Sequence, residues 1–332
     1  MSELSNPFTT PEKPLDPDVA GAVKALFDAK TAEDVRRELG QTPTEPTPVE
    51  DFGVDPTDDF ISAEQKAEIT AIKEAKEVKK LFGENFFGQK EIESAFTIKN
   101  EQGQNIKLID LSPSERQQAE QMLSEKLQEL DIKTFLSKPE NQQDIKDGKY
   151  LLILRVNTIK VNGQDTPLTI KAMNDLIAPD MGKKGQGKLL LYADWYQNKD
   201  FYTTTTPIVT IDELMPAQPT FEWTIITKDV VQSTLGKTYS DQTTKLQEEA
   251  DRIGIDKTKI KRRKLVQTVF DHMVLLRQAN PQRLLINRFD WSDESSSPSN
   301  LVYVGLGLSI GLLLHGGSPG IPGVHLGASL SR

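Results

Sequence analysis

Residues 295–332 read SSSPSNLVYVGLGLSIGLLLHGGSPGIPGVHLGASLSR and contain no Lys, Glu, Gln, Met or Trp. Those residue types are the ones that a codon ending in a pyrimidine cannot encode. The rest of the chain is rich in Lys, Glu and Gln, so the gap is local. Two readings fit it. A segment restricted to pyrimidine-ending codons implies a surface that is diversified. A short glycine-rich β segment is poor in long charged side chains in any case, and implies only a hairpin. The apolar run Leu301 to Leu314 reads as a strand, and so does Val324 to Leu330. The loop between them carries Gly316, Gly317, Pro319, Gly320, Pro322 and Gly323.

Outward from this stretch, Trp291-Ser292 is followed by Leu301-Val302, Val304-Gly305 and Gly311-Leu312, and last by Gly327 and Leu330-Ser331-Arg332. On these residues, Trp291 to Arg332 resembles the C-terminal end of C-type-lectin-fold variable proteins. These are the targets of diversity-generating retroelements, of the formylglycine-generating-enzyme-like type. The resemblance implies a fixed scaffold alternating with positions rewritten by adenine-directed mutagenesis, displayed on one ligand-binding face. The positions it marks as variable are Ser296, Ser297, Asn300, Tyr303, Leu306, Leu308, Ser309, His315, Ser318, Ile321 and His325. Strand side chains alternate between faces, so one set can stay buried while the other varies. Glycines fix turns through the backbone and leave neighbouring side chains free.

The net charge of -9 makes nucleic acid an unexpected partner for the chain as a whole. Residues 1–60 hold 14 Asp and Glu against five Lys and Arg, which leaves 35 of each sign in 61–332. Eight of the 19 prolines also fall in 1–60, so this stretch is expected to be a disordered acidic arm with one short helix over 20–39. The chain has no cysteine, which excludes disulfides and thiolate metal sites. The start, Met1-Ser2-Glu3-Leu4, lacks the basic and apolar regions of a signal peptide. The 14 residues from Leu301 to Leu314 are too short to cross a bilayer, so a cytoplasmic protein without a membrane span is expected.

The expected organisation is the arm (1–60), a helical segment (61–144) and an α+β, C-type-lectin-like domain (145–332). Ser62 can cap a helix to about Leu81. Ser112-Pro113-Ser114-Glu115 is a capping box that opens a helix from Pro113 to Leu130. Tyr150 to Val156 reads as a buried strand, Val161 to Gln164 as a turn, and Thr166 as the cap of a helix over 167–177. Strands are expected over 189–196 and 221–227, and helices over 243–253 and 257–278.

Other motifs are weaker. Gly182 to Lys188 has the glycine and lysine spacing of a phosphate loop, but Leu189 stands where a hydroxyl would hold Mg²⁺, and a strand follows. Ala250, Gly254 and Ile260 have helix-turn-helix spacing, followed by Lys257, Lys259, Lys261, Arg262, Arg263 and Lys264 as candidate phosphate contacts. The acids Asp290, Asp293 and Glu294 could hold a hard cation such as Ca²⁺, but around a tryptophan they read first as a solvated loop. His315 and His325 flank the glycine-rich loop without a third metal ligand, and His272 reads as structural. The cluster from Asp194 to Tyr202 reads as packing at a strand end. No nucleophile can be paired with a base, and no cofactor or metal is expected.

The function expected first is non-catalytic binding of a protein ligand through a diversified C-terminal surface. A nucleic-acid-associated protein using 257–264, and an assembly protein pairing through its C-terminal strands, are the alternatives.

Overall fold

Tyr150–Arg155 (β4) is buried at all its positions in the computed structural model, as its apolar run requires. The structure describes residues 63–177, 179–180, 217–282, 284–285, 288–297, 300–307 and 311–332. The acidic arm, the loop 182–188, the strand expected over 189–196 and the aromatic cluster 194–202 lie outside the described residues. So do Leu308 and Ser309.

Residues Ser62–Arg332 form one compact unit of mixed α/β structure. β4 is the middle strand of a three-stranded sheet. Phe86–Phe87 (β1) pairs with it in parallel and Glu222–Thr227 (β7) antiparallel, in the register Tyr150↔Thr227 to Arg155↔Glu222. Two small ribbons accompany it. Thr97–Lys99 (β2) pairs with Asn105–Lys107 (β3), and Thr158–Val161 (β5) pairs with Gln164–Pro167 (β6). The β5–β6 turn places Asn162 at φ 52° and Gly163 at φ 79°, the backbone a two-residue hairpin demands.

The helices are α1 (Ala63–Phe82), α2 (Gln89–Ala95), α3 (Pro113–Gln128), α4 (Leu130–Ser137), α5 (Pro139–Lys146), α6 (Ile170–Leu176), α7 (Tyr239–Ile253) and α8 (Leu265–Leu276). The capping box of α3 forms as read: Ser112 Oγ accepts from Glu115 N at 3.3 Å, and Glu115 Oε2 accepts from Ser112 N at 2.7 Å. α3 packs against β7, where Trp223 Nε1 donates to Ala119 O at 2.8 Å. α8 is buried at every residue except Gln267 and packs against β4. One buried apolar cluster runs from Val78 to Leu330, so the helices of 61–144 and the strands after 145 share a core.

The second sheet has the order β10-β9-β8-β11. Phe289–Ser297 (β8), Asn300–Gly307 (β9) and Gly311–Gly317 (β10) form an antiparallel meander. Leu326–Gly327 (β11) joins β8 in parallel. The last five residues are then laced into the core. Ile225 and Arg332 exchange two backbone bonds of 2.8 and 2.9 Å, and Lys261 and Ser331 exchange two of 2.9 and 3.1 Å.

Several expectations are corrected. The run Leu301 to Leu314 is two strands that reverse between Gly307 and Gly311; its apolar character continues through the turn and hides it. Val324 to Leu330 shortens to β11, because Ala328 bonds to Val231 and Thr234, Ser329 N to the Asp290 side chain, and Leu330 to Arg332 to β7 and Lys261. The helix expected over 257–278 begins only at Leu265, since Lys261 spends both backbone groups on Ser331. Thr169, not Thr166, caps α6, its Oγ1 accepting from Ala172 N at 3.1 Å. The acidic stretch 290–294, read as a loop, is the body of β8.

Candidate functional site: a glycine-rich loop and a basic cleft

The glycine-rich loop from Ser318 to His325 is fixed by its backbone. Pro319 O accepts from Tyr239 N at 2.9 Å, Gly323 O from Gly236 N at 3.2 Å, and His325 O from Phe289 N at 2.8 Å. Gln242 Nε2 holds the following Leu326 O at 3.3 Å. The side chains along this pinned stretch point the other way. Ile321 is 66% exposed and Val324 74%, and His325 is exposed. Ser318 is half-buried. A main chain held by neighbours and side chains left in solvent is the arrangement in which residue type can change at little cost to folding.

The remaining candidates sit along the second sheet. Ser297 pairs with Asn300 at the β8–β9 end, next to Ser296, and Gly317 pairs with Leu301 so that the loop leaves from this same end. Leu306 pairs with Leu312 at the other end of β9, six positions from Asn300 and so roughly 20 Å away. His315 lies opposite Tyr303 in the register. Tyr303 is half-buried, with its ring edge-on to Trp291 at 5.0 Å and to Phe289 at 5.5 Å. It is the most constrained of the candidates whose side chains are described. Val302 and Val304, between these positions, are buried, as are Gly327, Ala328, Ser329, Leu330 and Ser331.

A row of charges, buried except for Glu222, links β4, α8, β8 and the C-terminal residues. Glu222 Oε1 accepts from Arg155 Nη1 at 3.1 Å, and Asp271 accepts from Arg155 Nε and Nη2 at 3.0 and 2.7 Å. Arg263 Nη1 stands 3.7 Å from Asp271 and its Nη2 3.1 Å from Asp290. Asp290 Oδ1 accepts from Ser329 N at 2.8 Å, and Ser329 Oγ from Arg263 Nη2 at 2.6 Å. Arg263 therefore ties β8 to the C-terminal residues and has no exposed surface for a phosphate. Asp290 is spent on the same pair, and among the described residues no group of three or more His, Asp or Glu could hold a metal ion.

The other candidates in 257–264 divide. Lys257 pairs with Asp251 at 3.3 Å, and Lys259 with Glu129 at 2.9 Å and Asp131 at 3.4 Å. Lys261, Arg262 and Lys264 line a cleft of about 440 Å³ with Lys126, Lys259 and Arg332, against the acids Glu222 and Asp293. Arg262 lies over the Tyr239 ring at 3.9 Å and donates to Tyr239 O at 2.9 Å and Thr243 Oγ1 at 3.1 Å. Arg332 binds Asp131 at 2.8 and 3.1 Å and also Glu129. Burial lowers Lys126 to about 8, and the Arg332 charge beside it acts in the same direction. Glu129, Glu222 and Asp131 act on Lys126 in the opposite direction without restoring its ordinary value.

Sequence reasoning found the glycine-rich loop and the basic stretch. It missed Val324, and it missed Lys126, Tyr239 and Arg332 as walls of one cleft, since no local signal links positions so far apart. The buried charges did leave a signal: Arg155 ends an apolar strand and Asp271 interrupts an apolar helix, and charges in such places are almost always paired. No family model, no curated protein and no solved structure matches this chain. Among the described residues no helix is long and apolar enough to cross a membrane.

Proposed function

We propose that the chain is a non-catalytic binding protein that presents a diversified C-terminal surface to a protein ligand, as the variable end of a C-type-lectin-like domain. The observation that carries this reading is the loop of residues 318–325. Its backbone is bonded into the fold while Ile321, Val324 and His325 face solvent. The local absence of Lys, Glu, Gln, Met and Trp over 295–332 is what pyrimidine-ending codons would leave, and it agrees with this reading. The exposed apolar side chains favour another polypeptide over a small polar ligand.

The test has two arms. Randomising Ser318, Ile321 and His325 with pyrimidine-ending codons should leave most variants folded, with melting temperatures within a few degrees of the parent. The encoding DNA should be accompanied by a near-copy of its 3′ end beside a reverse-transcriptase gene, differing where the copy has adenine. A library in which most members unfold would end the reading.

A further inference from the structure

We propose that the basic cleft is a binding site for a phosphorylated small molecule, its phosphate held by Lys126, Lys261 and Lys264 beside the Arg262–Tyr239 stack. The site is separate from the display loop, and the proposal does not depend on how that loop is used.

The charge balance is the first ground. The lining carries six cations against two acids, in a chain whose net charge is -9. Lys259 and Arg332 are matched by Glu129 and Asp131. Among the described residues the three remaining lysines make no close ion pair, although Glu129, Glu222 and Asp131 act on Lys126 and Lys264 acts on Glu294, so much of their field is left to the concave space. A carboxylate ligand would leave positive charge uncompensated, whereas a phosphate brings up to two negative charges and several acceptor oxygens. Lysine ammoniums suit it as point charges.

The placement of Lys126 is the second ground. It stands in the last turn of α3, partly withdrawn from water, where burial and the Arg332 charge outweigh Glu129, Glu222 and Asp131. An ammonium so placed is destabilising in the empty protein, and a bound anion offsets that cost. Dimensions are the third ground. About 440 Å³ is the size of a small-molecule pocket. The cations do not continue outward as a stripe, since Lys257 is tied to Asp251 and Arg263 is buried, so an extended nucleic-acid strand finds no track. Thr220, also in the lining, adds a hydroxyl beside the lysines.

Titration calorimetry of the full chain at low ionic strength, with pyrophosphate and with AMP as probes, tests this. Saturable one-to-one binding is expected, with pyrophosphate reporting the phosphate contact alone and AMP any gain from the Tyr239 side. Lys126→Met and Lys264→Ala should each weaken pyrophosphate binding roughly 10- to 100-fold, the worth of one charge-assisted hydrogen bond. Lys245→Met, on α7 outside the lining, should leave it unchanged. Affinity should fall as pH rises through about 8, where Lys126 loses its proton, and this fall should vanish in Lys126→Met. Absence of saturable binding of either probe overturns the proposal. So does binding that both cleft variants leave intact, or binding confined to an RNA oligomer with steep salt dependence. Lys264 is exposed, so its variant keeps the test open should Lys126→Met fail to fold.

Discussion

Arg263 Nη2 lies 3.1 Å from Asp290 Oδ2, with both side chains essentially closed to solvent. The same guanidinium reaches Ser329 Oγ at 2.6 Å and stands 3.7 Å from Asp271. A residue from the stretch before α8 thus joins β8, the core helix and the C-terminal residues. Removing one partner leaves a buried charge uncompensated. Arg263→Ala is expected to cost about 3–5 kcal/mol in urea unfolding, and pairing Arg263→Met with Asp290→Leu should cost less than either change alone. A double variant as unstable as the sum of the singles would show that the pair is not the unit that matters.

Gly305 has no room for a side chain. A Cβ there would stand 2.3 Å from Arg288 O and 2.5 Å from Phe289 Cδ1, the first of them backbone. Gly305→Ala should therefore destabilise by about 1–3 kcal/mol through forced movement of β8. Ile321→Ser, on the pinned loop, should stay within about 0.5 kcal/mol of the parent. Thermal melts of the two variants side by side test the division between packed and exposed positions.

Arg332 makes stability depend on acid. Burial alone would raise Asp131, but the hydrogen bond and charge of Arg332, with the backbone N–H of Asp256, bring it down to about 2. A folded value below the ordinary 3.8 stabilises the fold above roughly pH 4, and that contribution is lost as pH falls through 2. Glu129 is lowered as well: its burial is outweighed by bonds from Lys259 and Arg332. Arg332→Met should flatten the loss of stability between pH 4 and 2, read from unfolding midpoints across that window.

Lys126 has the opposite sign. Its folded value of about 8 lies below the ordinary 10.5, so the unfolded chain holds the extra proton between these limits. The destabilisation it causes is fully present below pH 8 and fades as pH rises to 10.5. Lys126→Met should raise the melting temperature at pH 7 and leave it nearly unchanged at pH 10.5. A lowered melting temperature at pH 7 would mean that the ammonium is already satisfied in the empty cleft.

Much of the architecture was written locally. The Ser112 capping box, the buried strand from Tyr150 and the turn at Asn162-Gly163 were legible because each depends on residues within a few positions of one another. The hairpin inside Leu301 to Leu314 was not, because both of its arms are apolar and the turn between glycines leaves no change of period. The basic stretch 257–264 was read as a helix start because its composition allows one. Its actual conformation is set by Ser331, far away in the chain, which pairs with Lys261.

The sequence by itself determined the helix caps, the core strands, the uneven charge and the absence of Lys, Glu, Gln, Met and Trp from residues 295–332, all of them properties of neighbouring residues or of composition. Tertiary structure alone decided that Arg263 is buried while Lys261 and Lys264 are not, that β8 is a strand despite its acids, and that Lys126 and Arg332 wall one cleft. The reason is physical. A charge's role depends on which opposite charge and how much water it meets after folding, and those are fixed by contacts between residues that the chain order keeps far apart.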